Sequence, residues 1–175
     1  MSHFALQSKN VIIDAANAGG GKSKMTAACI EVKNELIHAI HPYGHALACE
    51  VLDYGDYVIM PGLVDSHVHI NEPGRTEWEG FNTATQAAAA GGITALVDMP
   101  LNCIPVTTTK EAFQEKLAAV EDKLWVDCGF WGGVIPENID DLDDLLNAGV
   151  LGVKSFLIDS GIDEFPKVAA KDIRA

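Results

Sequence analysis

From residue 58 onward, short apolar runs alternate with segments of helical pattern, and this alternation restricts the possible folds more than any other feature. Apolar runs at 58–64, 93–99, 124–131 and 150–157 predict four strands, with a helix between each consecutive pair. Such an order is typical of parallel strands joined by right-handed crossovers, and the continuous apolar runs indicate burial on both faces. An open doubly wound sheet and a barrel both satisfy the order, but the first strand is not followed by a glycine-rich dinucleotide fingerprint.

Local signals predict where the three helices begin and end. Thr76 and Thr108 are each followed three residues later by a glutamate, which is the spacing of a capping box, and each predicts that a helix follows. Pro136 is suited to the first turn of the third helix. Gly91 and Gly149 are expected to stop the first and third helices.

Residues 1–57 have a different pattern, in which short strands are separated by turns. The predicted strands lie at 11–13, 29–32 and 36–40. The glycine-rich segment Gly19–Lys24 contains Gly-Lys-Ser but lacks the spacing of a phosphate loop, so it predicts a flexible loop. We therefore divide the chain into the N-terminal part of a small β-domain, 1–57, and an α/β part, 58–175.

Composition excludes several classes of partner and location. The chain has 12 Lys and Arg against 25 Asp and Glu, a formal charge of −13, whereas nucleic-acid binding requires clustered basic residues. The four cysteines have no CxxC spacing and predict buried, reduced thiols. Neither a secretory signal nor an apolar run of about 18 residues is present. These features predict a cytoplasmic protein that contacts neither nucleic acid nor a membrane.

The end of the first α/β strand carries two histidines, His67 and His69. Parallel α/β folds collect functional residues at the carboxyl ends of their strands, and residues two apart in a strand point to the same side. The two imidazoles are therefore candidate ligands for one metal ion. A pair of hydrogen-bonded histidines without a metal is the alternative.

Lys154 lies inside the fourth apolar run, and Arg75 and Asn102 lie in loops after the first and second strands. Burial lowers the pKa of a lysine, and a neutral amine can add carbon dioxide to form a carbamate that bridges two cations. An ion pair with a carboxylate is the alternative for Lys154. Asn102 could bind an amide or carbonyl group, and Arg75 a carboxylate or ureido oxygen, unless both are simply polar loop residues.

The segment Val58–His69, VIMPGLVDSHVH, resembles the entry to the barrel of the cyclic amidohydrolases, a family that includes dihydroorotases, hydantoinases, dihydropyrimidinases and allantoinases. Four more segments are similar to the allantoinases in particular. They are NEPGRTEWEGF at 71–81, DMPLN at 98–102, GFWGG at 129–133, and KSFL with the residues that follow it at 154–166.

The resemblance implies a fold and a set of ligands. The fold is α/β, the first half of a TIM-type (β/α)8 metallo-hydrolase barrel with about four βα units, preceded by part of a small β-sandwich domain. The family holds two divalent metal ions, usually zinc, with a hydroxide between them. The resemblance assigns His67 and His69 as metal ligands and Lys154 as the carbamylated bridging lysine. It places substrate contacts at Asn71, Arg75 and Asn102.

The resemblance also implies an activity. Allantoinases hydrolyse the hydantoin ring of allantoin, a small cyclic ureide, to allantoate in purine catabolism, and relatives are often homotetramers. The remaining family ligands, including the aspartate that serves as general acid and base, are expected beyond Ala175, since no histidine follows His69. The 175-residue chain alone is therefore expected to be inactive. A dihydropyrimidinase- or dihydroorotase-type amidohydrolase and a non-enzymatic half-barrel that binds a partner remain alternatives.

Overall fold

The computed structural model describes residues 2–13 and 24–174, which form two compact units, Met1–Pro61 and Gly62–Ala175. The predicted glycine-rich loop at Gly19–Lys24 lies outside the described residues except for Lys24. The sequence prediction puts the division between residues 57 and 58, four residues earlier than the boundary between these units.

The first unit is built on a sheet of five strands. The strands are β1 His3–Ile13, β2 Lys24–Lys33, β3 Leu36–Pro42, β4 Glu50–Asp53 and β5 Val58–Ile59. Strand β2 pairs antiparallel with β1 and β3, whereas β4 and β5 pair in parallel with β1. The three strands predicted in this part of the sequence all lie within β1, β2 and β3. Asn34 and Glu35, which join β2 to β3, both have positive φ, as a type I′ hairpin turn requires.

The second unit alternates strands and helices, as predicted. Its elements are β6 Leu63–Val68, α1 Phe81–Ala90, β7 Ile93–Asp98, α2 Lys110–Val120, β8 Asp127–Phe130, β9 Gly132–Gly133, a 3-10 helix Pro136–Asp141, α3 Leu142–Asn147 and β10 Val153–Lys154. Strands β6, β7 and β8 form one parallel sheet, and β9 pairs in parallel with β10. Among the described residues, no helix is long and apolar enough to cross a bilayer.

Two strand predictions are corrected by the structure. The apolar run 58–64 is not one strand, because Val58–Ile59 pairs with β1 in the first unit and β6 begins only at Leu63. Pro61 lies at this break, where its missing N–H prevents a continuous ladder. The fourth run, predicted at 150–157, contributes only Val153–Lys154 as a strand.

The helix starts are also corrected. Helix α1 begins at Phe81 rather than directly after Thr76, and its N-cap residue, Gly80, provides no side-chain cap. Instead Oε2 of Glu72 accepts a hydrogen bond from the Phe81 amide at 3.0 Å. In α2 the cap is Thr109 and not Thr108, since the Thr109 hydroxyl accepts from the backbone of the third helical residue at 3.1 Å.

The third helix starts at Pro136, as predicted, but its first six residues form a 3-10 helix, and only Leu142–Asn147 is α-helical. Gly149, with φ of 114°, follows the helix and reverses the chain toward β10.

The largest core cluster of the second unit packs the helices against the sheet. Its buried members are Ile70, Phe81, Ala88, Leu96, Phe113, Val120, Phe130, Leu145 and Val150. Phe81 and Phe113 both meet the ring of Phe130 edge-on, with centroids 6.1 and 5.7 Å apart. This packing fixes β6, β7 and β8 relative to α1 and α2. It therefore also fixes the carboxyl ends of these strands, where His67, His69 and Asp98 lie.

Candidate metal centre

His67 lies near the carboxyl end of β6, and His69 is the first residue after that strand. The structure brings their rings close together. The ring centroids are 5.5 Å apart and the ring planes are tilted by 46°. The His67 ring is exposed and His69 is partly buried. The geometry suits two imidazoles facing one cation, and it follows from their placement two residues apart in extended chain.

Lys154, on β10, belongs to the same neighbourhood. Its positive charge is the second largest cause that lowers the pKa of His69, after burial of the ring and ahead of the charge of His67. Burial lowers the pKa of Lys154 itself. Within the described part of the chain, Lys154 forms no ion pair with a carboxylate, and its Nζ lies 4.8 Å from the centre of the Phe156 ring.

The protonation states favoured here are those that a metal centre needs. A lowered pKa keeps the His69 imidazole neutral and able to donate its lone pair, and it increases the neutral amine fraction of Lys154. In residues 2–13 and 24–174, no group of three or more His, Cys, Asp or Glu side chains could hold a metal ion. The donors that this neighbourhood offers to a metal ion are thus the two imidazoles and the amine of Lys154.

The structure brings the predicted substrate residue Asn102 into contact with His69. Asn102 has a left-handed backbone, with φ of 76°, in the loop after β7, and its Nδ2 lies 3.5 Å from Nδ1 of His69. An asparagine tolerates this conformation better than most side chains. The amide is therefore directed at the edge of the histidine pair.

Arg75 and Asn71 lie in the loop between β6 and α1. The Arg75 guanidinium donates to the Asn102 carbonyl and to Oε1 of Glu164, both at 3.0 Å, and lies over the Trp78 ring. Asn71 is buried, and its carbonyl accepts a hydrogen bond from the Arg75 amide at 2.9 Å. Arg75 therefore links its own loop to the loop that contains Asn102 and to the segment that contains Glu164. The Asn71 carbonyl stabilises the turn in which Arg75 lies.

Two buried residues without a role in the sequence prediction lie directly behind the histidines. Asp98, at the end of β7, forms an ion pair with Lys116 of α2, and both side chains are almost fully buried. Burial raises the pKa of Asp98, and the charge of Lys116 opposes that shift. The signal for Lys116 was present in the sequence, because it shares the buried face of α2 with Ala112 and Val120.

Comparison with known proteins gives a consistent result. The amidohydrolase family model matches residues 58–172. A protein of Oryza sativa subsp. japonica named probable allantoinase is 52% identical over 170 residues, which cover 94% of this chain and 32% of the relative. The allantoinase of Saccharomyces cerevisiae is 46% identical over 180 residues, covering 97% and 37%, respectively. The chain therefore spans about a third of the length of these curated relatives.

The solved structures that resemble the chain lead to the same group of enzymes. The L-hydantoinase (dihydropyrimidinase) from Arthrobacter aurescens superposes with a TM-score of 0.84 at 29% identity, over 99% of this chain and 37% of that one. A dihydropyrimidinase from Brevibacillus agri, at 22% identity and a TM-score of 0.75, shows the same fold. These matches confirm the resemblance to the amidohydrolases that the sequence motifs indicated.

Proposed function

Because the chain belongs to the amidohydrolase family, we propose that it is the N-terminal part of an allantoinase and supplies part of the active site. An allantoinase hydrolyses the ring of allantoin to give allantoate. The observation that carries the proposal is its identity of 46–60% to proteins named allantoinase, over stretches of 116 to 180 residues. The solved dihydropyrimidinase at 29% identity is less similar in sequence, so hydrolysis of a dihydropyrimidine ring is the second candidate.

The proposal includes the fold of the whole enzyme. Strands β6, β7, β8 with β9, and β10 would be the first four strands of a (β/α)8 barrel, and residues 1–57 the N-terminal part of a small β-sandwich domain. Parallel pairing from β6 to β8 and from β9 to β10 supports this arrangement. In such barrels the carboxyl ends of the strands form the active site, and both ends of this series, β6 and β10, carry proposed ligands.

His67, His69 and Lys154 would hold two divalent metal ions, with Lys154 converted to a carbamate by addition of carbon dioxide to its neutral amine and loss of one proton. Bound metal ions of this kind lower the pKa of water and polarise a carbonyl group. The chain's own residues would orient the ring: the Asn102 amide can donate to a ureido oxygen. Arg75 would hold the Asn102 loop in place through its backbone contact.

Further features of the proposal concern the environment of the enzyme. We propose a cyclic ureide as substrate, zinc as the metal, a homotetramer for the whole protein and a cytoplasmic location. All four cysteines are free, which agrees with a reducing compartment. One relative, from Aquarana catesbeiana, is named a mitochondrial allantoinase, so imaging of the tagged protein is the appropriate test of location.

A chimera tests the proposed activity. The 175-residue chain replaces the matching first part of the Saccharomyces cerevisiae allantoinase, and allantoin consumption is measured with added zinc. We expect turnover that falls by at least about 100-fold in each of the variants His67→Ala, His69→Ala and Lys154→Ala. His38→Ala, an exposed histidine of β3, is the matched control and should retain activity.

A second chimera distinguishes the two candidate substrates. The same chain is joined to the remaining part of the Arthrobacter aurescens L-hydantoinase, and each chimera is compared with its own parent enzyme. Retention of activity in the allantoinase chimera only would favour the first candidate. Retention in the hydantoinase chimera only would favour the second, and an active allantoinase chimera that does not depend on His67 and His69 would contradict both.

A further inference from the structure

Two hydrogen bonds hold the peptide groups on either side of His69 against the end of β7. The Met99 amide donates to the Val68 carbonyl, and the Ile70 amide donates to Oδ1 of Asp98, both at 2.7 Å. Ile70 is fully buried, so water does not compete for its amide. The backbone of His69 is thereby fixed from both sides, and one of the two contacts depends on a side chain.

That side chain is itself held by helix α2. Nζ of Lys116 binds the second carboxylate oxygen of Asp98, lies 3.5 Å from the Met99 carbonyl and 6.0 Å from the centre of the Phe81 ring. Asp98 and Lys116 are 0% and 1% exposed. With one oxygen on a backbone amide and the other on a buried ammonium group, the carboxylate has a single orientation.

Stability alone does not account for this ion pair. Two buried charges lose their hydration, and apolar residues of similar volume at such positions are often equally stable or more stable. The pair also lies where it can act on a functional segment, since Oδ1 of Asp98 accepts a hydrogen bond from the backbone amide that follows His69.

We propose that Asp98 and Lys116 are positioning residues for His69. Lys116 fixes the Asp98 carboxylate, the carboxylate fixes the Ile70 amide, and the amide sets the direction in which the His69 ring leaves the backbone. The inference rests on the proposed function, because that function assigns His69 to a metal ion. Residues behind metal ligands commonly act in this way, and their loss lowers metal affinity by about 10–100-fold.

Two double variants of the 175-residue chain separate positioning from charge. D98N/K116M removes both buried charges and keeps a side-chain oxygen that can accept the Ile70 amide. D98L/K116M removes the charges and the acceptor together. With Co²⁺ as the probe, followed by its visible absorption, we expect D98N/K116M to bind within about threefold of the unaltered chain and D98L/K116M to bind about 10–100-fold more weakly.

Thr109→Ala is the matched control, because it weakens the same helix α2 at its cap without touching Asp98. Its Co²⁺ affinity should equal that of the unaltered chain, and circular dichroism verifies that all variants are folded. If D98L/K116M does not fold, D98A/K116M replaces it, because it also removes both charges and the acceptor but introduces a smaller side chain, and the same loss of about 10–100-fold is expected. If the unaltered chain binds Co²⁺, equal affinities in the two double variants, whether both high or both low, would overturn the proposal.

A readout without metal distinguishes failure of this inference from failure of the proposed function. In the metal-free chain, amide hydrogen exchange of Ile70 and ¹⁵N relaxation of His69 are compared between the two double variants. Faster exchange and increased motion in D98L/K116M only would support the positioning role even if the unaltered chain binds no Co²⁺, in which case only the metal assignment fails. Unchanged motion at His69 in D98L/K116M would overturn the positioning role.

Discussion

Glu31, a buried carboxylate of the first unit, has three cationic or potentially cationic neighbours. Its Oε1 accepts from Lys33 and His3, both at 2.8 Å, and its Oε2 accepts from His41 at 2.9 Å. Lys33, then His41, then His3 hold the pKa of Glu31 well below its usual range. Because a carboxyl whose pKa is lowered by folding stabilises the fold only when ionised, this contribution is lost as pH falls.

The pH dependence of the first unit tests this network. Its stabilising effect is fully present above the unfolded-state pKa of about 4.3 and disappears as pH falls toward the lower folded-state pKa. We expect Glu31→Gln to lower the unfolding midpoint in urea at pH 7 and to flatten its decrease between about pH 5 and pH 3. Tyrosine absorption reports on this unit, since all three tyrosines lie in it. Glu35→Gln, in the exposed hairpin turn, is the control and should keep the pH profile of the unaltered chain.

His69 supports a second prediction about a single residue. Burial and the charge of Lys154 lower its pKa, so Lys154→Met should raise it in metal-free, bicarbonate-free buffer. An NMR titration of the ring resonances measures the direction of the change. Lys171→Met, an exposed lysine near the end of the described chain, should have no effect. An unchanged His69 pKa in Lys154→Met would contradict the proximity of the two groups.

The elements of the second unit show which features the sequence could predict. The order of strands and helices followed from hydrophobic period alone, because that pattern is repeated over many residues. The start of α1 could not be found in this way. Its first amide is bound by Glu72, nine residues before it, and Glu72 is held in turn by Lys123 from beyond α2. Contacts between residues so far apart in the sequence depend on the fold, and no local sequence pattern indicates them.

The start of α2 provides a test at this scale. Two threonines compete for the cap, and the structure assigns it to Thr109. Thr109→Ala should lower the free energy of unfolding of the second unit by about 1 kcal/mol, whereas Thr109→Ser, which keeps the hydroxyl, should restore most of it. Tryptophan fluorescence during urea unfolding measures both, because all three tryptophans lie in this unit. A loss that Thr109→Ser does not restore would exclude capping by the hydroxyl.

The candidate site was predictable to the extent that its residues lie at strand ends. His67 and His69 became candidates because they lie at a strand end, and Lys154 became one because it is a lysine within an apolar run. The Asp98–Lys116 pair was not, because the position of Lys116 among the apolar residues of α2 indicates burial but does not identify Asp98 as its partner. Only the packing of α2 on β7 shows that both are buried and that the carboxylate reaches the amide after His69.

At the scale of the whole chain, two features have opposite effects on association between copies: the exposed apolar side chains of strand β6 and the large negative charge. Strand β6 lies at one side of its three-stranded sheet, and its Val64 side chain is 68% exposed. Unpaired apolar strands favour association between copies of a chain, whereas the net charge of −13 repels them. The balance should depend on salt, because the Debye length falls from about 30 Å at 0.01 M to about 3 Å at 1 M.

We therefore expect the 175-residue chain to associate increasingly as salt is raised, and Val64→Lys to reduce that association. The lysine interrupts the apolar strand while changing the net charge only from −13 to −12. Leu157→Lys makes the same charge change at a side chain of similar exposure, 64%, outside the strands, and should associate as the unaltered chain does. Sedimentation velocity over the salt range measures all three proteins. If both lysine variants reduce association equally, charge rather than the β6 strand controls it, because repulsion depends on the total charge and not on where the lysine stands.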